Sequence, residues 1–190
     1  SVDFSILRRQ NFMDNFNGGF RDLSFKINNK VAQTFLVGTH IRLNLEKPLK
    51  PGGSTEINIS WSYALVEENA VRARNGYESF ADGNDIFLLA QWYPRVTVFS
   101  DYEGWHNKEF VGNGEFTLEF GNYEVEITVP SDHVVAATGV LINDNDVLNS
   151  TQKKRILQAK KSEKPIFIIT PEEALKNELE KNTQTKTWIF

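Results

Sequence analysis

Apolar and polar residues alternate in short runs along much of this chain, the period expected of strands that turn one face toward a core. Residues 2 to 7, 20 to 27 and 31 to 45 are rich in Phe, Ile, Leu, Val and Thr, and Asn17-Gly18-Gly19 and Asn28-Asn29 interrupt them as hairpin turns would. Beyond Pro51-Gly52-Gly53 the alternation is clean. Ile57, Ile59, Trp61, Tyr63 and Leu65 are predicted to share one apolar face, while Asn58, Ser60 and Ser62 point toward water.

From Glu67 to Asn84 the chain turns polar, with Arg72, Arg74, Gly76, Asp82 and Gly83, and this reads as a mobile loop ahead of a strand over Ile86 to Ala90. The next stretch, Gln91-Trp92-Tyr93-Pro94-Arg95-Val96-Thr97-Val98-Phe99-Ser100-Asp101, keeps strand character but carries aromatics, an arginine and a proline, and Gly104-Trp105-His106-Asn107 follows it. Aromatic and charged side chains placed this way often serve recognition. A hairpin is then predicted: Phe116, Leu118 and Phe120 alternate, Gly121-Asn122 turns the chain, and Tyr123, Val125, Ile127 and Val129 alternate back.

Val134 to Ile142 reads as a further strand and Asn143-Asp144-Asn145-Asp146 as a turn. After a lysine-rich segment from Thr151 to Lys161 comes a short apolar strand, Ile166 to Ile169. Thr170 and Glu173 have capping-box spacing and Pro171 falls at the first helical position, so a short helix is predicted from Pro171 to about Lys181. Thr187 to Phe190 completes the chain as a strand.

The pattern implies a mostly-β fold, a sandwich of antiparallel and mixed strands with a short helix near the carboxyl end. At 190 residues one domain spanning 1–190 is expected. With 40% apolar and 24% charged residues the chain has the composition of a folded globule. A net charge of −4 without a basic cluster argues against a nucleic-acid partner, and no apolar run reaches the roughly 20 residues of a membrane span. The chain has no cysteine, which removes disulfides, thiolate metal sites and thiol catalysis.

Catalytic patterns are scarce. A zinc peptidase helix needs His-Glu-x-x-His, and the three histidines, His40, His106 and His133, are isolated and not followed by Glu. Asp144-Asn145-Asp146 lacks the Gly and Glu of a calcium-binding EF-hand, with Arg155 standing at the twelfth position. Glu109 with Glu115, or Asp101 with Glu103, are formal candidates for a glycosidase pair, although spacing alone does not assign them. Lys153, Lys154, Lys160, Lys161 and Arg155 read as a solvated face. Asn11-Phe12-Met13-Asp14-Asn15 only superficially matches a Gly-x-Met-Glu-Asn motif.

The run Gln91 to Asp101, Gly104-Trp105-His106-Asn107, Gly114-Glu115-Phe116, Glu119 to Val125, Ile127-Thr128-Val129-Pro130 and Val135-Ala136-Ala137-Thr138-Gly139 together resemble the amino-terminal β-domain of the aminopeptidase N family of zinc metallopeptidases. The resemblance covers about residues 31 to 142 and implies a saddle-like β-domain, partly truncated at its start. It implies a catalytic domain of the same polypeptide after Phe190, with zinc in that parent and no cofactor in this chain. The parent would hydrolyse peptides from the amino end; its compartment stays open, with an exported or cell-envelope setting slightly favoured over the cytoplasm.

In that family a polar side chain from the segment before the conserved arginine receives the peptide's free α-amine, which assigns that part here to Gln91. Trp92, Tyr93, Pro94, Arg95, Asp101 and Trp105 complete the structural motif, with Arg95 and Asp101 read as a pair and the aromatics as core or domain-contact residues. The alternative for Gln91 is a strand glutamine bonded to neighbouring backbone. Two other functions stand beside this one: a carbohydrate-binding sandwich with exposed coplanar aromatics, and a structural or adhesive module with no pocket around Gln91.

Overall fold

A computed structural model describes residues 19–68, 74–109, 118–180 and 183–190, which fall into two compact units divided between Glu119 and Phe120. The strand expected over 2–7, the Asn11–Asn15 segment, Asn17-Gly18, Arg72 and Gly114-Glu115-Phe116 lie outside these residues. The fold is mostly β, with five small antiparallel sheets among the described residues and helices near the carboxyl end.

In the first unit β1 (Arg21–Ile27) lies between β2 (Lys30–Val31) and β5 (Ile57–Ser62). Asn28 and Asn29 turn the β1–β2 hairpin at φ 48° and 66°, the left-handed pair that a two-residue turn requires and that asparagine tolerates. The Asn28 side chain also accepts from the Glu56 N–H at 3.2 Å and donates to Thr55 Oγ1 at 3.3 Å, tying the turn to the approach of β5. On β5 the predicted faces hold from Asn58 on: Ile59 and Trp61, with Tyr63 and Leu65 beyond the strand, are partly buried and Asn58, Ser60 and Ser62 are exposed, whereas Ile57, expected inward, is 37% exposed at the start of the strand. The run 31 to 45 divides into β3 (Thr34–Val37) and β4 (His40–Leu43), a hairpin turned by Gly38 at φ 58°.

Two expectations in this unit need correction. The polar segment from Glu67 to Asn84 contains a strand, β6 (Gly76–Ser79), which pairs with β7 (Asp85–Leu88) and sets Tyr77 opposite Phe87. Its polarity belongs to the tight turn, where Asp82 Oδ1 accepts from the Asn84 N–H at 3.1 Å and Gly83 takes φ 88°. The run from Gln91 is not a continuous strand either. Strand geometry is confined to β8 (Phe99–Ser100), paired with β9 (Gly104–Trp105), because Gln91 turns the chain at φ 53° and Pro94 has no N–H to give a ladder.

In the second unit β10 (Glu126–Pro130) pairs with β11 (Thr185–Ile189), and Ile127 stands opposite Trp188. The predicted hairpin around Gly121-Asn122 therefore does not form: Leu118 to Val125 lies outside the strands, and Phe116 lies outside the described residues. Val125 and Phe190 exchange two backbone hydrogen bonds of 3.0 Å, so the returning arm is captured by the end of the chain.

Val134 to Ile142 is likewise not a strand. Its end is joined to β11 by the Ile142 N–H on the Ile189 carbonyl at 2.8 Å and then by a side chain. Asn143 donates from Nδ2 to the Thr187 carbonyl at 2.9 Å and accepts the Ile189 N–H on Oδ1 at 2.9 Å, the pair of bonds a neighbouring strand would make.

The turn cluster after Asn143 forms a one-turn helix, α1 (Asp144–Val147). The lysine-rich segment forms α2 (Ser150–Ala159), capped by Asn149, whose Oδ1 accepts from the Thr151 and Gln152 N–H groups while Gln152 Oε1 accepts from the Asn149 N–H. Ile166 to Ile169 is a connection rather than a strand, and Arg155 takes its Ile168 carbonyl at 3.0 Å. The predicted capping box then opens α3 (Pro171–Glu180): Thr170 N–H donates to Glu173 Oε2 at 2.9 Å and Glu173 N–H to Thr170 Oγ1 at 3.3 Å. Arg155 also holds Glu173 Oε2 at 2.5 Å, linking the two helices. Beneath them Trp188, 2% exposed, packs with Val147 and Leu148 and with the partly buried Val129, Leu141, Ile156 and Ile169.

Asn143→Ala removes both bonds to β11 and leaves partly buried backbone groups unmet, so unfolding in denaturant should show a loss of about 1 to 3 kcal/mol. A loss below about 0.5 kcal/mol would mean that water replaces the amide at no cost.

The Glu173 carboxyl is held below the usual carboxylate range, first by the Thr170 N–H and then by the Arg155 guanidinium. Because the folded-state value is the lower one, this contribution is complete above the unfolded value and disappears as pH falls through the folded one. Protection of the first-turn amides of α3 should therefore fall on acidification below about pH 4, and Glu173→Gln should blunt that dependence.

Candidate functional site

Beyond β5 the chain continues through Tyr63 to Val66 and meets the start of β6. Tyr77 N–H donates to the Val66 carbonyl at 2.8 Å, and Glu67 and Tyr77 form an isolated parallel bridge. This approach depends on Gly76, which is buried and whose added Cβ would collide with the Val66 carbonyl oxygen. A cleft of about 290 Å³ opens beside this junction, with Phe20, Tyr63, Leu65, Val66, Asn75 and Gln91 in its lining.

Gln91 enters the cleft from a backbone conformation that glutamine seldom adopts, φ 53°. Such a residue costs on the order of 1 to 3 kcal/mol unless its surroundings fix it. No hydrogen bond to its side chain is seen among the described residues, and its backbone lies outside strand geometry. Across the lining, Asn75 Oδ1 is buried without a hydrogen-bond partner. The cleft thus brings together two carboxamides and an apolar wall.

An aromatic chain supports that wall. Tyr63 packs edge-on against Phe20 at 5.9 Å, Phe20 against Trp61 at 6.2 Å, Trp61 against Trp92 at 6.1 Å and Trp92 against Tyr93 at 5.1 Å between ring centroids. The Trp61 indole N–H donates to the Trp92 carbonyl at 3.2 Å, and the Arg95 guanidinium lies 5.6 Å from the Tyr93 ring centre. Trp92, Tyr93 and Pro94 are half-buried, and most rings of this chain meet at steep angles, so they pack rather than form a flat platform.

The rest of the predicted motif lies on the β8–β9 hairpin. Trp105 is 56% exposed and sits edge-on to Phe99 at 5.1 Å, and Asp101 is exposed in the turn. Among the described residues no ion pair joins Asp101 to Arg95. Glu103, in the same turn, pairs with Lys108, whose hydrogen bond and charge hold its carboxyl below the usual range. That favours a permanent carboxylate and disfavours a general acid, which needs the opposite shift. Glu115, the proposed partner of Glu109, lies outside the described residues.

The histidines are engaged separately: His106 Nε2 with Ser100 Oγ at 2.8 Å, His133 Nδ1 with Asp132 Oδ1 at 2.8 Å, and His40 Nδ1 near Thr39 Oγ1 at 3.5 Å. No group of three or more metal-ligating side chains occurs among the described residues. In the Asp144-Asn145-Asp146 segment, Asn145 Oδ1 already accepts from Lys153 Nζ at 2.8 Å.

Sequence reasoning reached Gln91 and missed Asn75, which it placed in a polar loop. The signal available was the Asn75-Gly76 pair, since a glycine followed by Tyr77 and a short run before another turn fits a strand held close to neighbouring backbone. No family model, curated protein or solved structure matches the chain, so its function has to be argued from the chemistry of the cleft.

Proposed function

We propose that this chain is the non-catalytic amino-terminal β-domain of a zinc aminopeptidase-like protein, and that Gln91 receives the free α-ammonium of a peptide substrate. The observation that carries this is the left-handed backbone of Gln91 at the edge of the cleft, with its carboxamide uncommitted among the described residues. A strained residue persists where its position is useful, and a carboxamide oxygen is a good acceptor for a charged N–H donor. Among the described residues that line the cleft none is Lys or Arg.

In this reading zinc and the hydrolytic step belong to a catalytic domain following Phe190, and this chain covers the cleft and orients the substrate's amino end. The carbohydrate reading is favoured by one observation, the exposure of Trp105 (56%) and Tyr102 (79%) on the β8–β9 hairpin. Against it, Trp105 meets Phe99 at 74°, which gives those two rings no common plane for a sugar face.

The test uses the full polypeptide. Gln91→Ala should lower kcat/KM by about 10- to 150-fold for peptides with a free amino terminus, the loss expected for an acceptor to a charged donor. Substrates with a blocked amino terminus should be affected much less, and Gln91→Glu should keep or strengthen capture. Equal losses for both substrate types, with unchanged thermal stability, would reduce this domain to a scaffold. A full polypeptide without His-Glu-x-x-His after Phe190 would remove the peptidase assignment.

A further inference from the structure

The apolar face of the β10–β11 ladder runs out of the described core toward Phe190. Ile127 stands opposite the buried Trp188, and two residues further along Val125 and Phe190 exchange two backbone hydrogen bonds of 3.0 Å. Phe190 packs against the same core as Trp188 but is only partly buried, so cover thins toward this last pair. Residues 118–124 enter the pair from one side with Phe120 and Tyr123 exposed, and any residue after Phe190 departs from the same place. Tyr123 lies within about 7 Å of Val125, the span of two extended residues. The other flank is apolar too. Ile142 donates its N–H to the Ile189 carbonyl at 2.8 Å, a Cβ on Gly139 would sit 3.7 Å from the Phe190 Cβ, and Val140 and Ile142 are exposed. Exposed apolar side chains gathered in this way mark an interaction surface.

Charge narrows the partner. Residues 118–126 include Glu119, Glu124 and Glu126, residues 139–146 include Asp144 and Asp146, and neither stretch has a Lys or Arg. A second copy would bring these carboxylates against themselves across a two-fold axis, whereas a surface with a basic rim complements them.

Resting on the reading in which a catalytic domain follows Phe190, we propose that Phe120, Tyr123, Val140 and Ile142 form the surface on which that domain docks, through an apolar patch of its own rimmed by Lys or Arg. The following chain starts between the two flanks, so the contact is tethered at short range and its effective concentration is high.

Hydroxyl-radical footprinting read by mass spectrometry, on the 190-residue chain and on the full polypeptide, tests this. Oxidation of Phe120 and Tyr123 should slow by about 5-fold or more in the full polypeptide, as expected inside an interface core, while Leu157, exposed on α2, keeps its rate. Tyr123→Asp adds a carboxylate to the contact and should return Phe120 in the full polypeptide to its rate in the shorter chain. If that variant does not fold, the wild-type comparison decides alone.

Equal oxidation of Phe120 and Tyr123 in the two proteins overturns the docking surface, and so does equal slowing of Leu157. Slowing in the 190-residue chain that grows with its concentration assigns the patch to a second copy and overturns it as well. Slowed oxidation in a full polypeptide that lacks His-Glu-x-x-His keeps the docking surface and removes the peptidase assignment. The motif present with oxidation unslowed does the reverse, and a polypeptide that stops at Phe190 removes both.

Discussion

Sheets of two or three strands leave many backbone N–H and C=O groups outside any ladder, and the need to satisfy those groups shapes this molecule. Among the described sheets only β1 has a strand on each side. Side chains take over where neighbours are missing. Asn28 anchors the approach of β5, Asn143 pairs with β11 as a strand would, Arg155 holds the Ile168 carbonyl between two helices, and the Trp61 indole holds the Trp92 carbonyl beside the cleft. The last three of these bonds fix a segment without regular structure to an element that has it.

What the sequence made legible was local. The Asn28-Asn29 turn, the faces of β5 from Asn58 on and the Thr170–Glu173 box each rest on residues a few positions apart, and each occurs as read. The helix α2 was equally local but disguised. Asn149 and Gln152 carry the same spacing as Thr170 and Glu173, while the lysines drew the eye to charge. Partnership was not legible. Ile127 and Val129 do alternate inward, yet alternation names a face and not a neighbour, and the neighbour came from the far end of the chain. Ile166 to Ile169 failed differently, since an apolar run of four fits a connection that buries Ile169 as well as it fits a strand.

The candidate site divides along the same line. Gln91 stood out through a motif, but its left-handed backbone is not written in a residue type, because no glycine marks the position, although Pro94 did signal a break in strand geometry. Asn75 carries no motif, and its interest comes from a cavity assembled by β5's extension and the start of β6. The cleft combines a strained backbone with an unsatisfied oxygen, two departures from local optimum in one place. At Asn28 the left-handed backbone is tied down by hydrogen bonds, whereas Ser131 Oγ and Trp188 Nε1 are, like Asn75 Oδ1, buried without a partner.

The pairing of β10 with β11 has a consequence for the order of folding. The hairpins β3–β4, β6–β7 and β8–β9 join residues close in sequence and can close early with little loss of chain freedom. The second unit must bring residues 126–130 against 185–189 across both longer helices before Trp188 is covered. Until that loop closes, the capped helices α2 and α3 have no apolar surface on β11 to settle on. Translation from the amino end would therefore leave the second unit unfinished until β11 has emerged, and would make this closure slower than that of the local hairpins.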